Sequence, residues 1–361
     1  MRTSQSAKNE AYALDLDKLQ IGDIILESGS SKFSWWIKKG TGSEYSHAML
    51  YVGHSIIHAL TDGVYSGNPQ RILVNSKSDL KILRLKDRNE SRIDAIVANG
   101  RTLIGSLYSV PEAITVAIKK NTKLKSNTSA QYCSKLIASV YSDAGISLVN
   151  NQDYCSPEDI NKSKLLIEVE DCVRKASISD IEFAKSYNPL LANEKSTFAY
   201  LNDCRILFQK RDIHIQSETD VAMALIENLD LDSQVCEYMR KSKYFEHYNS
   251  DEKNNPHRYD IKLFLKAYEN SPVENKEIII GEFQSVDLII KRHIQNYWAS
   301  KSNYVDTKFE YYALYIELYK NILLSSKKWL YTLHQFSEVV EEEEFTQYSF
   351  NLLKDIESLI D

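Results

Sequence analysis

Tyr45-Ser46-His47-Ala48-Met49-Leu50-Tyr51-Val52-Gly53-His54-Ser55-Ile56-Ile57-His58-Ala59-Leu60 is the stretch that decides the fold. Residues 46–52 and 55–60 are rich in Met, Leu, Tyr, Val and Ile, as strands are. Gly53-His54 reads as a two-residue hairpin loop with glycine first, the preference of a type II′ turn. Val52 then pairs with Ser55, His58 falls opposite Met49, and His47 opposite Leu60. In that register both histidines share one face as a diagonal pair, at a backbone separation of about 7–8 Å. A three-residue loop would slip the register and part them.

Further along, Ser129-Ala130-Gln131-Tyr132-Cys133-Ser134-Lys135-Leu136-Ile137 opens a helix. Asn127, Thr128 and Ser129 are capping types, so Cys133 falls in or near the first turn. There the helix end is expected to lower the thiol pKa, and the first-turn amides point outward toward an oxyanion. A thiol at a helix start and an imidazole on a strand are the parts of an activated thiolate nucleophile. Cys133 is the candidate nucleophile, His47 the candidate base, and His58 the candidate group that holds the His47 ring. The plain alternatives are a core cysteine, a hydrogen-bonded strand histidine, and a solvent-facing histidine. Asp62 and Glu44 are rival orienting groups. Tyr132 and Tyr45 flank the motifs, and Trp35-Trp36 form an aromatic pair; all four are candidates for a substrate-binding wall, with core packing as the alternative.

Five segments resemble the YiiX/YebB-like permuted papain-fold amidases, relatives of the NlpC-type cell-wall peptidases. They are Leu19-Gln20-Ile21-Gly22-Asp23-Ile24-Ile25, Ser46-His47, Gly105-Ser106-Leu107-Tyr108-Ser109, Tyr132-Cys133-Ser134 with Leu136, and Ser156-Pro157-Glu158-Asp159-Ile160. The resemblance covers roughly residues 17–170. It implies a cysteine amidase or peptidase on a permuted papain-like, NlpC-type antiparallel sheet. Many YiiX-like relatives carry glutamate where His58 stands. Histidine there is similar to the lecithin:retinol acyltransferase branch, whose His–His–Cys set acts on lipid acyl groups. The cysteine motif of that branch differs from this one, so its substrate class does not transfer.

Composition, at 43% hydrophobic and 26% charged, is that of an ordinary globular chain. Met1 to Leu16 lacks the apolar core of a signal peptide, and the expected location is cytoplasmic, with a specialised secretion route left open. Five widely spaced cysteines include no Cys-x-x-Cys pair, so a reduced compartment and no structural metal or cofactor are expected. Residues 1–150 carry net +6, leaving −12 on residues 151–361, and no nucleic-acid motif appears.

Ten of the eleven glycines precede residue 146. Glycine marks turns, so the front is turn-rich and the back consists of long helices. Strands are expected at 22–27, 46–52, 55–60, 71–74 and 80–85, and helices at 32–38, 89–107, 111–119 and 130–144. Phe309, Tyr312, Ala313, Ile316, Tyr319 and Leu323 repeat at helical spacing. The expected fold class is therefore α+β, with an all-α C-terminal domain. The expected organisation is an N-terminal tail at 1–16, a hydrolase domain at 17–185 and a helical domain at 190–361.

The expected function is a cysteine-dependent hydrolase or acyl-transfer enzyme that opens an amide, ester or thioester through a Cys133 acyl-enzyme. Two alternatives stand beside it. One is a lipid acyl hydrolase or acyltransferase of the same fold. The other is an inactive papain-like module that presents the helical domain to a protein partner. The expected partners are a peptide, acyl-amide or lipid substrate and a protein bound by the helical domain.

Overall fold

The computed structural model describes residues 10–29, 38–39, 43–108, 131–269 and 275–360. Strands β3 (His47–Tyr51) and β4 (Ile56–Leu60) pair antiparallel with Met49 opposite His58, the register expected from the sequence. The Val52 amide donates to the Ser55 carbonyl at 2.9 Å and closes the two-residue loop. The turn type differs from expectation. Gly53 and His54 both have positive φ, 81° and 53°. Two left-handed central residues make a type I′ turn, whose twist also matches the flanking strands, rather than type II′. The Tyr51 hydroxyl accepts from the His54 amide at 3.2 Å and helps hold histidine in this conformation.

The hairpin sits inside a six-stranded antiparallel sheet of order β5-β4-β3-β2-β7-β8. The other members are β2 (Ile24–Glu27), β5 (Gly63–Gly67), β7 (Leu80–Leu85) and β8 (Leu166–Glu168). A second sheet joins β1 (Tyr12–Leu14), β6 (Leu73–Val74) and β9 (Val173–Lys175) in the order β6-β1-β9. Strand β1 falls in the stretch expected to be a tail. Two or three residues show no alternation to read, and β1, β6, β8 and β9 are set by partners distant in sequence.

Both faces of the main sheet are covered, which is why β3 is apolar at nearly every position. Helix α1 (Glu90–Thr102) and helix α2 (Cys133–Asp143) join one core cluster with Ala48, Leu50, Ile57 and Ala59. Residues alternating with these, Met49, Tyr51 and Ile56, join Leu14, Val74 and Val173 of the small sheet on the other side. Helix α1 is capped by Asn89, whose side chain accepts from the Arg92 amide. It ends at Thr102 rather than at the expected 107, because the chain turns through Gly105 at φ +92°. The helix expected at 111–119 and most of that at 32–38 lie outside the described residues.

Helix α3 (Pro157–Asn161) starts at Ser156 with a capping box to Asp159. Helices α4 (Ile178–Lys185) and α5 (Leu190–Gln209) follow. The chain divides into two compact units, residues 1–221 and 222–361, with the division inside helix α6 (Glu218–Glu227). The expected division lay near 185–190, so α5 falls within the first unit.

In the second unit every strand-or-helix element among the described residues is helical. Helices α7 (Asp232–Lys241), α8 (Ser250–Asn254) and α9 (Ile261–Tyr268) precede three long ones. These are α10 (Asn275–Thr307), α11 (Glu310–Val339) and α12 (Glu343–Ile360). Phe264, Ile279, Phe283, Leu330, Leu333 and Ile356 lie in its core. The apolar stripe read from Phe309 to Leu323 runs along α11, with Phe309 at its N-cap. No helix among the described residues is long and apolar enough to cross a membrane.

Candidate active site

Cys133 lies in the first turn of α2, as expected, and is its first helical residue, with Tyr132 as N-cap. The expected caps Asn127, Thr128 and Ser129 lie outside the described residues. The thiol is only 4% exposed, and it donates to the Ser46 carbonyl at 3.9 Å. The amides of Ala48, Ser134 and Cys133 itself, with the Ser134 hydroxyl, bear on the sulfur and favour its thiolate form. Burial outweighs them and pushes the thiol pKa up. The sequence led to the opposite expectation, because the helix end is legible and the depth of the sulfur is not.

The two imidazoles meet as the hairpin register requires. His47 Nε2 lies 3.0 Å from His58 Nδ1, with ring centroids 5.3 Å apart. If His47 Nε2–H donates, His47 Nδ1 keeps a lone pair and is the nitrogen left to act as a base. The Tyr65 ring packs edge-on against His58 at 4.6 Å. Glu27 stands directly across from His47 on β2, and burial raises its pKa. Burial lowers the His47 pKa to about 3, aided by His58, and the His58 pKa to about 4. Both rings are therefore neutral at neutral pH.

In the hydrogen-bond pattern the two rings meet each other, and the sulfur meets the main chain beside His47. Strand alternation groups His47 with Met49 and Tyr51, whereas Ala48 and Leu50 share the Cys133 cluster. The sulfur touches the main chain on either side of His47. Among the described residues, no hydrogen bond joins it to either ring.

The neutral pair has a measurable consequence. Unfolded imidazoles protonate near the ordinary value of 6.5, and the folded rings only near 3 and 4. Between those limits the unfolded chain binds more protons, so stability is full above about pH 6.5 and falls on acidification toward pH 4. Thermal melts from pH 7 to pH 4 are expected to show a falling Tm, with a shallower fall in His58→Ala. An identical slope in that variant would assign the acid sensitivity to other groups.

The expected substrate wall is placed differently. Tyr45 is buried in the sheet–helix core, where burial raises its phenol pKa. The Tyr132 hydroxyl donates to the Asp153 carbonyl at 2.9 Å and accepts from the Cys155 amide at 3.0 Å, so it braces the helix start. Both tyrosines are consumed by packing because the segments they flank are themselves interior. Trp35 and Trp36 lie outside the described residues.

Tyr108, which like Tyr45 and Tyr132 flanks the motifs in the sequence, lies near the thiol. Tyr108 packs against the same cluster, its phenol is electrostatically coupled to Cys133, and burial raises its pKa. Its signal in the sequence is the Gly105-Ser106-Leu107-Tyr108 segment. The rival orienting groups Asp62 and Glu44 make no hydrogen bond to either ring in this structure. No cluster of three or more His, Cys, Asp or Glu among the described residues is arranged to hold a metal ion.

Residues 18–177 match the family model of the permuted papain-like amidase enzymes, YaeF/YiiX, C92 family. The matched segment spans all five stretches that carry the resemblance, including the hairpin and Cys133. Among solved structures, the chain is similar to the crystal structure of metalloprotein yiiX from Escherichia coli O157:H7, DUF1105. The identity is 17%, the TM-score 0.34, and the alignment covers 42% of this chain and 97% of that one. No curated protein matches the chain.

Proposed function

We propose that this chain hydrolyses an amide bond of a peptide-like substrate through a Cys133 thioester, a reading supported by the match of residues 18–177 to the permuted papain-like amidase model. The observation that carries this reading is the 3.0 Å His47–His58 pair, beside the Ser46 carbonyl that takes the Cys133 thiol. In the reaction the thiol proton passes to His47 Nδ1 instead of the Ser46 carbonyl, and His58 holds the opposite nitrogen. The thiolate attacks the carbonyl carbon and the C–N bond breaks. The amine departs with the proton from His47, and water, deprotonated by the same nitrogen, cleaves the thioester. The step asks Cys133 and His47 to change rotamer, because the sulfur now rests against main chain.

Passing the acyl group to an amine, or drawing it from a lipid ester or thioester, uses the same thioester and forms the broader version of the proposal. A cytoplasmic site of action and a protein partner for the helical residues 190–361 belong to it as well.

One observation favours a second reading. A thiol this buried, with its pKa raised, suits an inactive module that serves binding. Iodoacetamide on the full chain near neutral pH separates the two. All five cysteines are buried, so they form an internal reference. The amidase reading expects Cys133 to be alkylated well ahead of Cys155, Cys172, Cys204 and Cys236, as located by mass spectrometry. Alkylation of Cys133 at the pace of the other four would favour the binding module. Comparing peptide amides with lipid esters as substrates then assigns the acyl class.

A further inference from the structure

We infer that Arg205 and Gln216, beyond the family-matched segment, are positioning residues that hold the 105–108 run over Cys133. The inference rests on the reading of Cys133 as the nucleophile. It begins with an arginine that gathers main-chain carbonyls. Arg205 Nη2 donates to the Gly105 carbonyl at 2.5 Å and to the Gln216 carbonyl at 2.6 Å. Its Nε donates to the Ile215 carbonyl at 3.2 Å, and its Nη1 to Asn202 Oδ1 at 2.6 Å. A rigid fork of donors is thus spent on tying two distant chain segments to α5. Gln216 adds a second tie, its Oε1 accepting from the Leu107 amide at 3.0 Å.

The run held in this way leads to both halves of the site. Gly105 donates to the Val64 carbonyl at 2.8 Å, and the Val64 amide donates to the Ser106 carbonyl at 2.9 Å. Val64 precedes Tyr65, whose ring backs His58. On the other side the Gln131 amide donates to the Leu107 carbonyl at 2.8 Å, two residues before Cys133, and Tyr108 bridges to Gln131. Tyr108 itself packs in the cluster that contains the sulfur.

The fit of α5 against this run is close. Gly105 has φ +92°, and a Cβ there would run into Leu201. At Gly63, with φ +139°, a Cβ would lie 2.5 Å from both Phe198 and the Ser106 carbonyl. Side chains of α5 therefore occupy the space of two missing methyl groups. The family match ends at residue 177, so α5 and residues 213–217 lie outside the matched segment.

Alkylation of full-length variants by iodoacetamide, with each cysteine quantified by mass spectrometry, tests the brace. Gln216→Met and Arg205→Met are expected to speed alkylation of Cys133 about fivefold, the scale of one lost hydrogen bond. Gln216→Glu keeps the acceptor for the Leu107 amide and is expected to return the rate to within about twofold of wild type. Cys172 and Cys236 are expected to keep their wild-type rates, because neither lies near Arg205, Gln216 or the 105–108 run. Unchanged Cys133 rates in both methionine variants would overturn the inference. Failure of Gln216→Glu to restore the rate, or a common acceleration of all cysteines, would overturn it as well. These readouts compare variants with wild type, whereas the amidase reading is judged on the ranking of cysteines within wild type, so the two fail separately.

Discussion

Cys133→Ser is expected to lower amide turnover by about a thousandfold or more while leaving the fold intact. A serine hydroxyl is far less acidic than the thiol it replaces, so it yields its proton to His47 much less readily. The substitution is nearly isosteric in a position already 4% exposed, so packing is conserved. His47→Ala is expected to lose a similar fraction, since nucleophile and base act as one unit and their losses do not add. The double variant should therefore be no slower than either single one. His58→Ala should keep more activity, because it holds the His47 ring through the 3.0 Å contact and does not react. Progress curves on a peptide amide, with circular dichroism as the fold control, measure all four. Turnover surviving in Cys133→Ser would end the nucleophile reading and leave the binding module as the better account.

The hairpin was legible because a two-residue loop between two apolar runs admits one register, and that register alone dictates that His47 and His58 meet. The turn type was not, since the choice between I′ and II′ depends on the sign of φ at His54. The start of α2 was legible from a residue pattern. The state of its thiol was not, because desolvation depends on what covers the sulfur, and that comes from Ser46, Ala48 and Tyr108 on other elements. The face that meets α2 was not legible for a related reason. Alternation along β3 says that His47 and Ala48 diverge, and nothing in the sequence says which of the two faces receives α2. The short strands β1, β6, β8 and β9 have too few residues for a period, so only their partners define them. Arg205 reads in the sequence as an ordinary charge on a helix. Its meaning appears only when the Gly105, Ile215 and Gln216 carbonyls converge on it.

The largest stability effect is expected at Arg84→Met. Asp23 has no exposed surface, and Arg84 meets it with two bonds, Nε to Oδ1 at 2.7 Å and Nη2 to Oδ2 at 2.6 Å. The carboxylate also accepts from the Gln20 amide at 2.8 Å. Methionine fills much of the same volume but leaves a buried charge without its counterion, a loss of about 3–5 kcal/mol. Adding Asp23→Asn removes that charge, so the double variant should be more stable than Arg84→Met alone, a coupling that a mutant cycle in urea measures directly. The position matters to the site because the same turn ties its parts together. The Gly22 amide donates to the Tyr51 carbonyl at 2.8 Å, and the Tyr51 amide donates to the Asp23 carbonyl at 2.8 Å. The Tyr141 hydroxyl of α2 donates to the Gly22 carbonyl. Through these bonds the strand that carries His47 and the helix that starts with Cys133 share one anchor. Arg84→Met is therefore expected to loosen their mutual placement as well as the fold, with Cys133 alkylation rising in the variant and falling back in the double. A single variant within about 1 kcal/mol of wild type, the scale of an exposed ion pair, would show that this anchor is not built on the charge.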